Sequence, residues 1–244
     1  MKLIIFKQID YRDNDLIVNA INEHDQKVSF LIKGAKKPTS KSMAYTNLAN
    51  IYEFVDDPKG KEGIQRFTGG ELIRSNHRIM NSLLKIACLN CVLELVDRLY
   101  QEEAYYPGFF AKLAQVIEWI DKDEHELLAL GLFWAYACEL LGIKPQVDGC
   151  VICASSKVVA LAVDEGGFVC QKHHRSTDIL ALDIEGLRTF RYLNKASLQD
   201  YDKLKALTID QPCLHGFNRF FQLHAAIKLN SYEFLESIIK SAIN

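Results

Sequence analysis

Two short pairs of metal-type ligands, separated by sixteen residues, constrain the fold of this chain more than any other feature. The first pair is Cys150 and Cys153, and the second pair is Cys170 and His173. The two-residue spacing within each pair brings both donors to one side of a metal. Three thiolates and one imidazole form a ligand set of closed tetrahedral zinc sites. The apolar residues between the pairs predict a hairpin, so the whole pattern predicts a zinc ribbon.

A structural metal fits this ligand set better than a catalytic one, because four protein ligands leave no open coordination position. His173 fits the spacing better than His174, but either imidazole is an acceptable fourth ligand. A zinc-dependent hydrolase, one alternative function, needs an open position and nearby carboxylates, for which Asp148 and Asp164 are the close candidates. A further C-x-x-C at residues 88–91 lies in a helical pattern without a second pair, which indicates core packing.

The N-terminal 75 residues have the pattern of a small β-barrel. Short apolar or alternating runs are separated by Gly, Pro and clusters of Asp and Asn, which favour turns. Five strands in so short a segment predict a closed barrel. The residue period does not distinguish an OB-fold from an SH3-like barrel. The predicted strands are residues 3–7, 16–21, 27–33, 48–55 and 64–73.

Helical spacing replaces the strand pattern after Ser75. Residues 127–141 are apolar nearly all round, which predicts a helix in the centre of a bundle. Asp123 stands three residues before Glu126, a spacing that predicts the start of this helix. The other predicted helices are residues 79–100, 109–120, 184–193, 211–228 and 231–242.

These patterns predict an α+β chain of two domains, a barrel at residues 1–78 and a mostly helical domain at residues 79–244. The zinc ribbon is an insertion in the second domain at about residues 146–177. Charge divides in the same way. Residues 1–78 carry 13 Lys and Arg against 10 Asp and Glu, whereas residues 79–244 carry 16 against 21. The first domain is therefore the better candidate for contact with a polyanion.

A basic loop in the first domain predicts contact with nucleic-acid phosphates. Residues 26–52 contain no acidic side chain, and several lysines lie among them. Such a local field attracts phosphate even on a chain with a formal net charge of −2, because salt screens distant charges. Lysine is a point charge that does not read base edges, so we expect sequence-independent binding. The predicted DNA contacts are Lys33, Lys36, Lys37 and Lys41, with Arg12 as a weaker candidate.

Composition and motif content exclude several other classes. Hydrophobic residues make up 49% and charged residues 25% of the chain, as in ordinary globular proteins. The apolar run at residues 127–138 is too short to span a membrane, and the N-terminal apolar run ends at Lys7. We therefore expect a cytoplasmic protein with reduced cysteines. The P-loop, dinucleotide-binding, metalloprotease and nucleophile-elbow motifs are absent, so no active site is predicted.

The order of barrel, helical bundle, embedded ribbon and terminal helices resembles the bacterial RecO family of recombination-mediator and DNA-annealing proteins. The basic segment Gly34-Ala35-Lys36-Lys37 resembles a loop of that family, and Leu141-Gly142 through Pro145 resembles its approach to the zinc module. The resemblance covers nearly the whole chain. The segments that carry it are residues 11–18, 30–41, 141–153, 166–170 and 224–235.

The resemblance implies an N-terminal OB-fold, a mostly helical second domain and no enzymatic turnover. It implies binding to single- and double-stranded DNA, pairing of complementary strands and help in loading RecA onto covered strands. It also implies two protein partners, RecR and the acidic C-terminal tail of the single-strand DNA-binding protein, and a nucleoid-associated location in the bacterial cytoplasm. A transcription or translation accessory factor with a zinc ribbon is the remaining alternative.

An acidic, aromatic-ended tail needs an apolar pocket flanked by basic groups. The second domain is acidic overall, so such a pocket must be a local basic island. The residues that we expect to contact the tail are Arg188, Arg191, Lys195, Arg219 and Lys228.

Overall fold

The computed structural model describes residues 1–55, 63–101, 104–175 and 177–243. The chain forms two compact units, Met1–Lys122 and Asp123–Asn244. No helix among the described residues is both long and apolar enough to cross a membrane.

A curled six-stranded sheet forms most of the first unit. Along β2 and β3, every second side chain belongs to the core, as the strand period of two requires: Leu16, Val18 and Ala20, then Phe30 and Ile32. The strands are β1 (Lys2–Tyr11), β2 (Asp15–Asn22), β3 (Lys27–Ile32), β4 (Ile51–Phe54), β5 (Ile64–Arg66) and β6 (Gly70–Arg74).

The strand order of this sheet is β5-β3-β2-β1-β4-β6. All pairings are antiparallel except that of β3 with β5. The fifth predicted strand, residues 64–73, is thus divided into β5 and β6, which occupy opposite ends of the order. Only Phe67, Thr68 and Gly69 separate them, so the sheet curls until its two edge strands are joined by three residues of chain.

Two helices, α1 (Leu83–Leu99) and α2 (Phe109–Lys122), complete the first unit and pack against β1. Asp25, in the turn between β2 and β3, accepts hydrogen bonds from the backbone N–H groups of Gly108 and Phe110 at the start of α2. The predicted domain boundary at residue 78 stays a prediction.

The second unit surrounds α3 (Glu126–Leu140), which is buried on nearly all sides. Trp134 packs edge-on against Phe221 at 5.7 Å, and α3 also contacts α4. The remaining elements are β7 (Val158–Ala162), β8 (Gly167–Cys170), β9 (Ile179–Leu180), α4 (Ile184–Lys195), α5 (Tyr201–Leu204), α6 (Gln211–Ala225) and α7 (Ser231–Ile243).

The predicted start of α3 needs a correction. The residue before the helix is His125, which makes no side-chain cap, whereas Asp123 forms an ion pair with Lys205 at 3.1 Å. Asp123 therefore joins the helix start to the segment after α5 instead of capping the helix.

Candidate metal centre and basic surfaces

A hairpin of β7 and β8 brings the two ligand pairs to one place. Val158 pairs with Cys170, so the strand that follows the first ligand pair lies beside the second pair. The first pair closes a tight turn in which Ala154 has a φ of 59° and donates its N–H to the carbonyl of Cys150. Gly167 lies against the backbone of Gln146, whose carbonyl oxygen would be only 2.2 Å from an added Cβ atom. Position 167 therefore requires a glycine, because any larger residue would collide with the backbone of Gln146.

The four predicted ligands form one compact group. Their ligand atoms all lie within 4.8 Å of one another. The Sγ atoms of Cys153 and Cys170 are 3.7 Å apart, and Nδ1 of His173 is 3.5 Å from Sγ of Cys150 and 3.4 Å from Sγ of Cys170. Tetrahedral zinc bonds of about 2.0–2.3 Å separate neighbouring ligand atoms by about 3.5–3.8 Å. The group thus has the dimensions of a tetrahedral metal cage.

Hydrogen bonding at the cage favours a thiolate. Burial opposes ionisation of Cys150, but bonds with the backbone of Cys170, Cys153 and Ile152 outweigh it and lower the pKa of this thiol to about 6. A backbone bond at Ser155 lowers the pKa of Cys153, yet burial and the neighbouring thiols raise it overall. A divalent cation held by these residues would supply the charge that lets all three thiols ionise together.

The geometry distinguishes the two candidate histidines, because His173 faces the sulfur atoms whereas His174 is exposed and outside the group. The group contains no carboxylate within the described part of the chain. Asp164, one candidate base for a hydrolase, accepts hydrogen bonds from Thr177 at the opposite end of the hairpin. The arrangement matches a structural metal site better than a hydrolytic one.

Asp148, the other candidate base, fastens the ribbon to α4. Arg191 donates to its Oδ1 at 3.1 Å and to the carbonyl of Val147 at 3.0 Å, and Lys195 donates to its Oδ2 at 2.5 Å. The hydrogen bond from Lys195 keeps the pKa of Asp148 below its ordinary value. Sequence reasoning missed this role of Asp148, for which the only local signal was its position two residues before Cys150.

The other residues predicted to bind a protein partner are also in ion pairs. Arg188 pairs with Glu185 at 2.6 Å, Lys228 pairs with Glu233 at 3.7 Å, and Arg219 pairs with Asp178. The five residues of that prediction therefore do not form an unneutralised basic island, and partner binding through them stays a prediction.

Three of the five predicted DNA contacts line one groove in the first unit. Arg12, Lys33 and Lys37 line this groove, whose volume is about 450 Å³. The rest of its lining is Asp13, Asn14, Asp15 and Gly34, so two carboxylates share it with the three cations. Its walls are two turns held to each other, since Gly34 donates its N–H to Asp15 at 2.8 Å and Lys36 donates its N–H to the carbonyl of Asn14 at 3.0 Å.

The remaining two predicted contacts lie outside this lining. Lys36 forms an ion pair with Asp10 at 2.9 Å. Lys41 is exposed at the start of a short 3₁₀ helix, Lys41–Tyr45. The guanidinium of Arg12 lies over the ring of Tyr11 at 5.2 Å. Lys33, Lys37 and Lys41 form no ion pair with any described residue, so their charge is available to an external anion.

Comparison with known proteins gives consistent results over both units. A family model described as "Recombination protein O N terminal" matches residues 1–76, and one described as "Recombination protein O C terminal" matches residues 80–233. The DNA repair protein RecO of Halalkalibacterium halodurans is 26% identical over 245 residues, which cover 96% of this chain and 93% of that protein. The DNA repair protein RecO of Bacillus mycoides is 27% identical over 251 residues, covering 98% and 97%.

Proposed function

Because this chain belongs to the RecO family of DNA repair and recombination proteins, which are not enzymes, we propose that it binds single- and double-stranded DNA and anneals complementary strands. Its further role is to help load RecA onto covered single strands. The observation that carries the proposal is the groove lined by Arg12, Lys33 and Lys37, in which both lysines lack ion pairs with described residues.

The strand arrangement supports an OB-fold as the platform of this groove. β1 pairs with both β2 and β4, β3 runs parallel to β5, and the segment from β5 to β6 connects the two edges. If β5 and β6 are counted as one interrupted strand, the sheet is a five-stranded curled barrel. Barrels of this kind bind single strands through a positively charged groove on one face.

Phosphate contacts account for sequence-independent binding. Lys33, Lys37 and Lys41 are the main contacts, because none of them forms an ion pair with a described acid. Lys36 contributes less, since Asp10 competes with phosphate for its ammonium group. Annealing needs two strands close together with their repulsion reduced, which cations on the protein provide.

Zinc is the metal that the cage fits best, because three thiolates and one imidazole at tetrahedral spacing match its preferences. The metal crosslinks the two knuckles, and Cys150, Cys153, Cys170 and His173 hold it. The family resemblance supports two protein partners, RecR and the tail of the single-strand DNA-binding protein, in the bacterial cytoplasm at the nucleoid. Among the tail contacts, Arg188 and Lys228 are the easiest to recruit, because both of their ion pairs are exposed.

The test is a strand-annealing and DNA-binding assay on the full chain, with and without the single-strand DNA-binding protein. A variant carrying Lys33→Ala and Lys37→Ala should lower the salt slope of log affinity for duplex by about 1.8. The matched control, Lys203→Ala with Lys240→Ala, removes the same charge from two exposed ion pairs and should behave as wild type. Wild-type protein that neither binds DNA nor anneals strands would exclude the proposed function, and a strong sequence preference would favour a transcription factor.

A further inference from the structure

Three cations stand close in the chain or the hairpin to the ligands of the metal cage in the second unit. Lys157 precedes β7 directly, and Val158 of that strand pairs with Cys170, so Lys157 lies at the cage end of the hairpin. Lys172 lies between Cys170 and His173, and Arg175 is held there by a hydrogen bond from its N–H to the carbonyl of His173 at 2.8 Å. All three are exposed. We call Lys157, Lys172 and Arg175 the ribbon tip.

The ribbon tip differs from the rest of its unit in that its cations form no ion pair with a described residue. Among the described residues of the second unit, every other Lys and Arg forms an ion pair with an Asp or Glu. The three cations of the tip form none. Cations left unneutralised in an otherwise acidic unit indicate an external anion as their partner.

The hairpin separates its own acidic turn from the two lysines of the tip. Asp164 and Glu165 lie in its turn, beyond the pairing of Ala162 with Gly167 and four residues along β7 from that of Val158 with Cys170. This distance is about 13 Å, longer than the screening length of about 8 Å in cell-like salt, so it holds these acids apart from Lys157 and Lys172. Arg175 is nearer to them, since Asp164 bonds to Thr177 two residues after it. The acid nearest to the cage in sequence, Asp148, is already neutralised by Arg191 and Lys195.

The cage does not cancel the charge of the tip. Three thiolates with one divalent ion leave a single negative charge, which the three cations outnumber. Ile152, with 52% of its surface exposed, and Val159, with 37%, add apolar surface to the same ribbon. Cations beside exposed aliphatic groups match a nucleic-acid strand, which offers phosphates next to sugars and bases.

We propose that the ribbon tip is a second DNA-binding surface, which contacts the phosphate backbone of a single strand. It rests on the proposed function and extends it, because each unit of the chain then contacts DNA. With one surface on each unit, one molecule binds two strands, as annealing requires.

The test compares two triple variants of the full chain for binding to a fluorescein-labelled oligothymidine over a range of salt concentrations. The tip variant carries Lys157→Ala, Lys172→Ala and Arg175→Ala. The control carries Lys144→Ala, Lys203→Ala and Lys240→Ala, which remove the same charge from ion-paired positions of the same unit. The tip variant should lower the salt slope by about 2, and its affinity should fall about 50-fold near 0.15 M salt. The control should retain both values.

Equal salt slopes for the tip variant and the control, at wild-type metal content and circular dichroism, would overturn the proposal. The proposal would also be overturned if the tip variant lost binding to a Glu-rich, Phe-ended peptide but retained DNA binding, because the tip would then be a peptide-binding surface. If the groove variant Lys33→Ala with Lys37→Ala loses DNA and the tip variant does not, the proposed function stands and only the tip assignment fails. Wild-type protein without DNA binding refutes both.

A footprint on the wild-type chain keeps the proposal testable if the tip variant does not fold. Oligothymidine should protect Lys157 and Lys172 from acetylation by a water-soluble reagent, whereas ion-paired Lys203 should react equally with and without DNA. Undiminished acetylation of both tip lysines at saturating DNA would contradict the assignment.

Discussion

Asp25 should contribute strongly to the stability of the first unit, because its carboxylate caps a helix that begins 84 residues later in the chain. Oδ2 accepts from the N–H of Gly108 at 2.6 Å, and Oδ1 accepts from the N–H of Phe110 at 2.8 Å. Hydrogen bonds to a charged group contribute about 1.5–3 kcal/mol each, and the helix dipole adds about 0.3–1 kcal/mol. Because Asp25 has a φ of 62°, glycine removes the carboxylate without backbone strain.

We therefore expect Asp25→Gly to lower the free energy of unfolding by about 3 kcal/mol. Asp25→Asn, which keeps one acceptor oxygen and tolerates the same φ, should lower it by about 1 kcal/mol. Urea denaturation followed by circular dichroism measures both values, with exposed Asp13→Gly as the control for glycine in a neighbouring turn. A loss below about 0.5 kcal/mol for Asp25→Gly would mean that water replaces the carboxylate as the helix cap and that Asp25 contributes little to stability.

Three further predictions concern the second unit. Cys150→Ser should reduce bound zinc from one per chain to less than a tenth of that value by elemental analysis, because three remaining ligands hold the metal poorly; full occupancy would refute the ligand assignment. Gly167→Ala should destabilise the ribbon by about 1–3 kcal/mol in urea, since the added Cβ collides with Gln146; wild-type stability would show that the backbone yields easily. Hydrogen bonding from Lys203 lowers the pKa of Asp200 to about 2. The ionised Asp200 therefore stabilises the folded state fully above its ordinary pKa of 3.8, and this contribution to the free energy of unfolding is lost as pH falls through 2. Asp200→Asn should therefore weaken the acid dependence of the melting temperature in this range, and an unchanged profile would contradict it.

Local patterns were sufficient to predict the compact group of three cysteines and one histidine and the central helix. Two donors three positions apart are close together in almost any tight turn, so the ligand pairs of the ribbon were visible in the sequence. The all-round apolar character of α3 likewise predicted its burial. Each ligand pair and the apolar character of α3 depend on residues that are close together along the chain.

Features that depend on distant partners could not be predicted. Asp123 has the local pattern of a helix cap, but Lys205 lies close enough in the fold to pair with it. Arg191 and Lys195 were predicted to contact an acidic tail, whereas Asp148, more than forty residues earlier, neutralises both. Charge counts along a sequence do not reveal which cations are already paired, because the pairing is decided by tertiary contacts.

The interrupted strand that closes the N-terminal sheet has a consequence for the newly made chain. Until residues 64–74 leave the ribosome, β3 and β4 expose unpaired backbone along both edges of the sheet. Such edges are templates for pairing with another chain. The same eleven residues protect both edges, since β5 covers β3 and β6 covers β4. Chains that terminate before residue 64 should therefore aggregate, whereas chains that extend past residue 74 have both edges covered.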